Sequence, residues 1–190
     1  MPCTGILTVS AISFSTQHQL ESTNRSRRYM TIKPTGQIHG NNLIINRMFY
    51  ASIDEVWMNV TKSAYTMLWF GAWKGEPGPG KTIQVQLGYE KGQPWVDVLI
   101  KECEAPRRLV VEMNDDHGHW RLELTLTQLN EQTELRFVQP LSDPKLVGDV
   151  GPGWEYYLDM LVASREGKER PLFEDYYPAL KPHYLGELGA

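Results

Sequence analysis

The sequence predicts an α+β protein in which one antiparallel sheet packs against a C-terminal helix. Residues 81–140 contain five successive segments that alternate apolar and polar side chains, the period of strands with one buried face. Residues 151–166 instead carry apolar side chains, among them Trp154, Tyr157 and Leu158, at the spacing of an amphipathic helix. The concave face of the sheet is the natural partner for this helix.

The predicted helix has a proline near its start and a glycine near its end. Pro152 suits the first helical position, where a missing N–H costs no hydrogen bond, and Gly167 suits the C-terminal stop. The apolar stripe continues to Leu161, whereas Glu155 and Asp159 fall outside it. We therefore expect one face of the helix to be buried.

Upstream, a strand and a helix are predicted in succession. Residues 43–50 are rich in isoleucine and aromatic side chains and predict a first strand, although the mixed pattern around Arg47 does not assign its faces. Ser52 and Glu55 have the spacing of a capping box, in which each side chain satisfies a backbone N–H of the other. A helix therefore begins there, and a short helical or irregular segment follows over residues 64–68.

Residues 69–80 predict a loop, because three large aromatic side chains are combined with four glycines and two prolines. We expect the three rings to anchor this loop onto the body of the protein. The overlapping residues 75–82, GEPGPGKT, fit the phosphate-binding pattern G-x-x-x-x-G-K-[ST]. A true phosphate-binding loop follows a buried strand and opens a helix, whereas strand alternation follows here. Pro77 and Pro79 also remove two of the amide donors that such a loop needs. We interpret this stretch as a turn.

Composition restricts the classes of function. The chain has 190 residues, 41% of them hydrophobic, which is enough for one domain with a substantial core. Its net charge of −4 gives no electrostatic case for a nucleic-acid or anionic membrane partner, and no apolar run approaches the roughly 20 residues that span a bilayer. Cys3 and Cys103 show neither disulfide nor metal-ligand spacing, so we expect a cytoplasmic protein.

The chain divides into three predicted segments. Residues 1–37 have no sustained period and end in a basic run, so we expect a flexible arm, within which Met30 is an alternative start. Residues 38–168 form the folded domain. Residues 169–190 are an aromatic tail that packs back on the domain.

The sequence offers little that is typical of a metal or catalytic centre. Asp115, Asp116, His117 and His119 have metal-ligand chemistry, but Asp and Gly are also what a hairpin turn requires. We interpret them as a turn and expect no metal and no cofactor. No nucleophile elbow, Cys–His pairing or apolar carboxylate pair indicates catalysis, so an enzyme is the less favoured interpretation.

Aromatic side chains fall where the sheet and the helix should face each other. Core packing accounts for any single one, but Trp and Tyr each carry a polar atom that needs a partner when buried. A set rich in both indicates a cavity that holds a ligand or water. The predicted pocket residues are Trp69, Trp73, Tyr89, Met113, Trp120, Phe137, Trp154, Tyr157, Leu158 and Leu161.

Four stretches, residues 49–57, 69–71, 102–109 and 151–158, occur in an order that is specific to one group of proteins. They resemble the START-like, or SRPBCC, superfamily, and within it homologues of the C-terminal domain of the heat-shock protein 90 ATPase activators. The resemblance spans about residues 40–165. It implies a helix-grip fold, in which a curved antiparallel sheet wraps a long C-terminal helix and two small helices follow the first strand. A hydrophobic pocket often lies between the sheet and the helix.

The resemblance leaves three hypotheses open, because superfamily members include lipid carriers, polyketide cyclases, hormone receptors and chaperone activators. The first is a small protein that binds an apolar or aromatic molecule, lipid or polyketide-like, in the pocket. The second is an interaction module that modulates a chaperone ATPase. The third is a cyclase or hydrolase, which requires His119 or Arg121 in the cavity, whereas alternation with Trp120 predicts that both point outward. The oligomeric state, a homodimer included, stays open.

Overall fold

The structure is a computed structural model that describes residues 32–115 and 118–188. Its strands are β1 (Gln37–His39), β2 (Asn42–Phe49), β3 (Trp73–Lys74), β4 (Thr82–Gln86), β5 (Trp95–Glu104), β6 (Arg108–Asp115), β7 (Gly118–Leu129) and β8 (Gln132–Pro140). Its α-helices are α1 (Ile53–Thr61), α2 (Ser63–Thr66), α3 (Val147–Glu166) and α4 (Lys181–Glu187). Short 3₁₀ turns lie at Pro144–Leu146 and Phe173–Asp175.

Within the described residues, eight strands form one sheet in the order β1-β2-β8-β7-β6-β5-β4-β3. Strands β4 to β8 pair antiparallel, each with the next, and so form the predicted meander. The first predicted strand is β2, which a short strand β1 precedes. It pairs with β8 along its whole length, from Asn42 opposite Pro140 to Phe49 opposite Thr133. The sheet and its helices confirm the α+β, helix-grip architecture.

The capping box at the start of α1 is confirmed. The Ser52 hydroxyl accepts the Glu55 N–H at 3.4 Å, and the Glu55 carboxylate accepts the Ser52 N–H at 2.9 Å. Val56 and Val60 on the inner face of α1 are buried. The cap therefore fixes the start of α1 directly after β2.

Helix α3 begins earlier than predicted, at Val147 and not at Pro152. The side chain of Asp143 accepts the Lys145 N–H at 2.9 Å and starts a 3₁₀ turn that leads into the helix. Pro152 therefore lies inside the helix, where it forgoes one backbone hydrogen bond. The end is as predicted, because Gly167 adopts a φ of 61°.

The glycines of α3 serve packing and do not mark a helix start. A Cβ at Gly151 would lie 2.6 Å from the ring of Tyr184, and a Cβ at Gly148 would lie 2.9 Å from Leu185. Both contacts are closer than real Cβ atoms make. The two glycines thus allow α4 to pack closely against α3.

The tail packs against α3 and against the edge strand β1. Tyr176, Leu180 and Tyr184 are buried, and the ring of Tyr156 on α3 meets those of Phe173 and Tyr176 edge-on. Helix α3 is therefore buried on both sides. No helix among the described residues is long and apolar enough to cross a membrane.

The helical residues outside the predicted stripe are not all solvent-facing, because Glu155 is only 1% exposed. Its carboxylate accepts the backbone N–H groups of Thr35 and Gly36 at 2.5 and 2.8 Å and the Tyr184 hydroxyl at 2.7 Å. It also pairs with the Arg47 guanidinium at 2.5 Å. A buried carboxylate is tolerated here because donors satisfy it from three separate segments.

Arg47 connects two successive turns of α3. Its Nη2 pairs with Glu155 and its Nε with Asp159, the latter at 2.8 Å. Asp159 in turn accepts the Tyr176 hydroxyl at 2.7 Å. We call Arg47, Glu155, Asp159, Tyr176 and Tyr184 the buried ionic cluster. It joins β2, α3, the segment before β1 and the C-terminal tail.

We predict that Glu155 makes stability depend on pH. Burial raises the pKa of Glu155. The charge and hydrogen bonds of Arg47, together with the other donors, lower it by more, so the pKa lies below its usual 4.5. A carboxyl whose pKa is depressed in the folded state stabilises the fold above its unfolded pKa. That stability is lost as the pH falls through the folded pKa.

Urea unfolding between neutral pH and about pH 3 should therefore show a steeper loss of stability for wild type than for Glu155→Gln. At neutral pH the variant should be less stable by about 3 kcal/mol, because Arg47 loses a buried partner. Glu131→Gln, at an exposed turn position, is the control and should keep the wild-type profile. Parallel profiles for wild type and Glu155→Gln would contradict this account.

Candidate functional site

Buried apolar side chains form two separate clusters on the concave side of the sheet. The main core joins buried residues of β2, β7, β8, α1 and α3 with the tail. A smaller cluster consists of Ile83, Val85, Val98 and Ile100 on β4 and β5. Between the two clusters lies a cavity of about 160 Å³. The helix and the sheet therefore do not close completely on each other.

The cavity is lined almost entirely by apolar side chains. The concave faces of β4 to β8 form the floor, and Trp154 and Leu158 of α3 form one wall. The end of α1 and the loop after α2 form the opposite side. The lining residues include Trp69, Phe70, Trp73, Ile83, Val85, Val98, Ile100, Val111, Met113, Leu122, Leu124, Phe137, Trp154 and Leu158.

The indole N–H groups of the three lining tryptophans all have protein partners. Trp69 donates to the Asn59 carbonyl at 3.0 Å, and Trp73 donates to the Thr61 carbonyl at 3.0 Å. Trp154 donates to the Gln139 side chain at 2.6 Å. The tryptophans therefore present only their rings to the cavity, and an occupant meets apolar surface.

A glycine positions the loop that closes the cavity. A Cβ at Gly71 would overlap the carbonyl oxygen of Gln86, so only glycine allows this approach. On either side, Gly88 N–H donates to Phe70 O at 3.1 Å and Gln86 N–H donates to Ala72 O at 2.8 Å. These bonds hold the ring of Phe70 and its neighbours over the floor, as the sequence predicted for an anchored loop.

Six of the predicted pocket residues line the cavity, and four do not. The six are Trp69, Trp73, Met113, Phe137, Trp154 and Leu158. Tyr89 lies beyond the end of β4, and its hydroxyl donates to the Leu68 carbonyl at 2.8 Å. Trp120 and Leu161 pack in the main core. Tyr157 is buried behind Phe70 and Trp154.

Several lining residues escaped the prediction although their signal was present. Alternation along β5 and β6 places Val98, Ile100 and Val111 on the same face as Met113, but the predicted pocket set consists mainly of aromatic side chains and omits them. Phe70 was assigned only to the anchored loop. A prediction that took every second residue of β4 to β6 together with the aromatic residues of the loop would have included most of the residues that line the cavity floor.

The other sequence motifs are placed as turns or on the outer face. The phosphate-loop pattern ends in a turn, because Thr82 opens strand β4 and Lys81 is exposed. Arg121 points away from the cavity and pairs with Glu112 and Glu123, both at 2.9 Å. His119 lies on the same face, 3.8 Å from Glu112.

The predicted turn at the β6–β7 hairpin falls partly outside the described residues. Asp115 pairs with Gly118 in the ladder, whereas Asp116 and His117 are not described. Over residues 32–115 and 118–188, no group of three or more His, Cys, Asp or Glu side chains is placed to hold a metal ion.

The sequence matches the family described as Activator of Hsp90 ATPase homolog 1-like protein over residues 50–165, more than half of the chain. The chain belongs to this family. The match begins just after β2 and ends in the last turn of α3, so it includes strands β3 to β8, the closing loop and the helix that line the cavity. No curated protein matches the sequence.

Solved structures show the same fold. CalU16 from Micromonospora echinospora is similar with a TM-score of 0.66 and 25% identity, over 78% of this chain and 89% of that one. The protein encoded by gene BPP1335 of Bordetella parapertussis has a TM-score of 0.67 and 19% identity, over 80% and 90% of the two chains. DynU16, from the dynemicin biosynthetic locus, has a TM-score of 0.61 and 21% identity, over 74% of this chain and 51% of that one.

We predict that Gly71→Ala destabilises the protein by about 2–3 kcal/mol, because the new methyl group must displace the end of β4. Gly78→Ala is the matched control in the same loop. A Cβ there meets only the flexible side chain of Lys81, at 3.6 Å, so stability should change by less than about 0.5 kcal/mol. Urea unfolding followed by tryptophan fluorescence measures both. Equal stabilities would show that the close approach at Gly71 is not a constraint.

Proposed function

We propose that this protein binds an apolar small molecule in the cavity between the sheet and α3. The observation that carries the proposal is an apolar lining in which the three indole N–H groups already have protein partners. Such a surface gains free energy by displacing water with hydrocarbon, and it offers little to a polar ligand. The two cysteines and their spacing favour the cytoplasm as the compartment.

The size of the cavity limits the ligand. An engineered cavity of about 150 Å³ lined by Leu, Ile and Phe stays dry and binds benzene in another protein. A cavity of about 160 Å³ therefore suits a single ring or a short aliphatic chain. A lipid or a multi-ring polyketide requires the closing loop or α3 to move.

The affinity for a ligand of this size should be modest. Removing about 200 Å² of apolar ligand surface from water contributes about 5 kcal/mol at roughly 25 cal/mol per Å². Alone, this gain corresponds to a Kd of about 0.2 mM. Association entropy opposes it, so we expect a Kd of about 1 mM or weaker for an unfunctionalised ring. A tighter natural ligand would need a further specific contact.

The positions of the charged side chains favour a binding function over a catalytic one. A cyclase or hydrolase needs an acid or base within reach of its substrate. His119 and Arg121 lie on the opposite face of the sheet, where Arg121 is held by Glu112 and Glu123. The cavity wall formed by the described residues carries no Asp, Glu, His, Lys or Arg side chain.

We predict that filling the cavity abolishes binding. Val98 is buried at the cavity floor, so Val98→Phe should weaken the binding of ethylbenzene at least about tenfold by occupying its space, at a stability cost of about 1–3 kcal/mol. Leu99→Phe, the next residue on β5 and on its other face, is the matched control and should bind as wild type does.

Ligand binding is measured by calorimetry and by the NMR signals of the Trp69, Trp73 and Trp154 indole N–H groups. Those three signals should shift, because their rings line the cavity. Binding by Val98→Phe equal to that of wild type would place the ligand elsewhere. An absence of binding by wild type for single-ring and short-chain compounds alike would refute the proposal.

A second candidate function is supported by the family match, whose description names an activator of a chaperone ATPase. An interaction of this kind needs exposed apolar surface outside the cavity. Met58, Tyr65 and Met67 on and after the two small helices are 39%, 42% and 53% exposed. These side chains are the surface that we propose for a chaperone.

We predict that, if this second function holds, the protein raises the ATPase rate of a purified Hsp90. A Tyr65→Ser, Met67→Ser variant should lose that stimulation and keep ethylbenzene binding, since neither residue lines the cavity. Val98→Phe should show the reverse pattern. An unchanged ATPase rate at saturating protein would exclude the second candidate.

A further inference from the structure

Two buried side-chain polar atoms among the described residues have no hydrogen-bond partner, the Trp120 indole nitrogen and the Tyr157 hydroxyl. Tyr157 is only 4% exposed, and its hydroxyl makes no hydrogen bond to the described protein. Buried hydroxyl groups in folded proteins are nearly always hydrogen-bonded, because an unmade bond costs stability. The Tyr157 hydroxyl therefore needs an explanation that the fold does not supply. By contrast, Tyr176 and Tyr184 of the C-terminal tail are also buried, and each of their hydroxyls donates to a carboxylate of α3.

Tyr157 lies directly behind the wall of the cavity. Its ring centre is 5.2 Å from that of Phe70, edge-on, and 5.8 Å from that of Trp154. Phe70 and Trp154 both line the cavity, as does the next residue of α3, Leu158. The Tyr157 ring is therefore a neighbour of two rings that line the apolar space.

Phe70 is one of the two rings of this wall that pack against Tyr157. Its side chain is half-buried, and Gly71 fixes the backbone beside it against β4. Trp154 is held more firmly, because its indole N–H donates to the buried Gln139 side chain. Because Tyr157 does not itself line the cavity, contact between a ligand and its hydroxyl requires the Phe70 ring to rotate.

The surroundings determine what the Tyr157 hydroxyl can bind. Burial, with smaller contributions from Glu90, Tyr156 and Tyr89, raises the pKa of Tyr157, so the hydroxyl keeps its proton at neutral pH. It is thus a hydrogen-bond donor. The nearby carboxylate of Glu90 disfavours an anionic ligand, and the apolar wall disfavours any charged one. The complementary group is a neutral acceptor, such as a carbonyl or ether oxygen.

We propose that Tyr157 is the polar anchor of the cavity and donates a hydrogen bond to a neutral oxygen acceptor on a small apolar ligand. The ligand class is therefore a ring or short chain that carries one ketone, ester or ether oxygen. This inference rests on the proposed binding function and sharpens it. The anchor supplies orientation and the specific contact that an all-hydrocarbon ligand lacks.

The test compares two ligands of nearly the same shape. Cyclohexanone carries a C=O group where methylenecyclohexane carries C=CH₂, so the pair differs only in the acceptor. The Kd of each is measured by calorimetry for wild type and for Tyr157→Phe. Tyr184→Phe is the control, since it also removes a buried tyrosine hydroxyl of the domain but one that is bonded to Glu155.

Tyr157→Phe should weaken cyclohexanone about tenfold and change methylenecyclohexane less than about twofold, the effect of one lost hydrogen bond. Its melting temperature should equal or exceed that of wild type, because the hydroxyl stabilises nothing in the free protein. Tyr184→Phe should lower the melting temperature and leave the ratio of the two Kd values unchanged.

The possible outcomes distinguish a failure of the proposed Tyr157 hydrogen bond from a failure of ligand binding in the cavity. If both ligands bind wild type and Tyr157→Phe changes both Kd values equally or neither, the anchor is refuted and apolar binding stands. If a crystal structure with cyclohexanone shows a resident water on the Tyr157 hydroxyl, the anchor is refuted as well. If neither ligand binds wild type, the proposed function and the anchor fail together.

Discussion

The fold depends on one arginine that is buried between the first long strand and the last long helix. Arg47 lies on the same face of β2 as the buried Leu43, Ile45 and Phe49, yet it meets two carboxylates of α3 there. A lone charge at this position would be too costly to bury, so the strand and the helix require each other. The Tyr176 and Tyr184 hydroxyls donate hydrogen bonds to these two carboxylates, and the bonds tie the tail to the same cluster.

The cavity follows from where this cluster holds α3. The helix is fixed against β2, at one side of an eight-stranded sheet, and its tail-facing side is covered by α4. The concave faces of β4 to β6, at the other side, are covered only by the end of α1 and the loop anchored at Gly71. Aromatic rings close this side less completely than a packed helix would, and the remaining space is the candidate binding site.

The sequence predicted the sheet, the capped helix α1 and the C-terminal stop of α3, because each has a local cause. Alternation of side chains, a capping box and a left-handed glycine act over a few neighbouring residues. It misplaced the start of α3, because the glycines around Pro152 resemble a helix start but serve contacts with Tyr184 and Leu185. These contacts join residues more than thirty positions apart and leave no local pattern.

The site shows the same division between local and long-range causes. The sequence by itself determined that β4 to β8 have an apolar face, that aromatic rings anchor the closing loop and that His119 and Arg121 point away. Only the tertiary structure decided that Glu155 is buried, that Tyr89 lies beyond its strand and that the Tyr157 hydroxyl has no partner beside the cavity. Burial and hydrogen bonding of a polar group depend on what packs over it, and those neighbours come from distant parts of the chain.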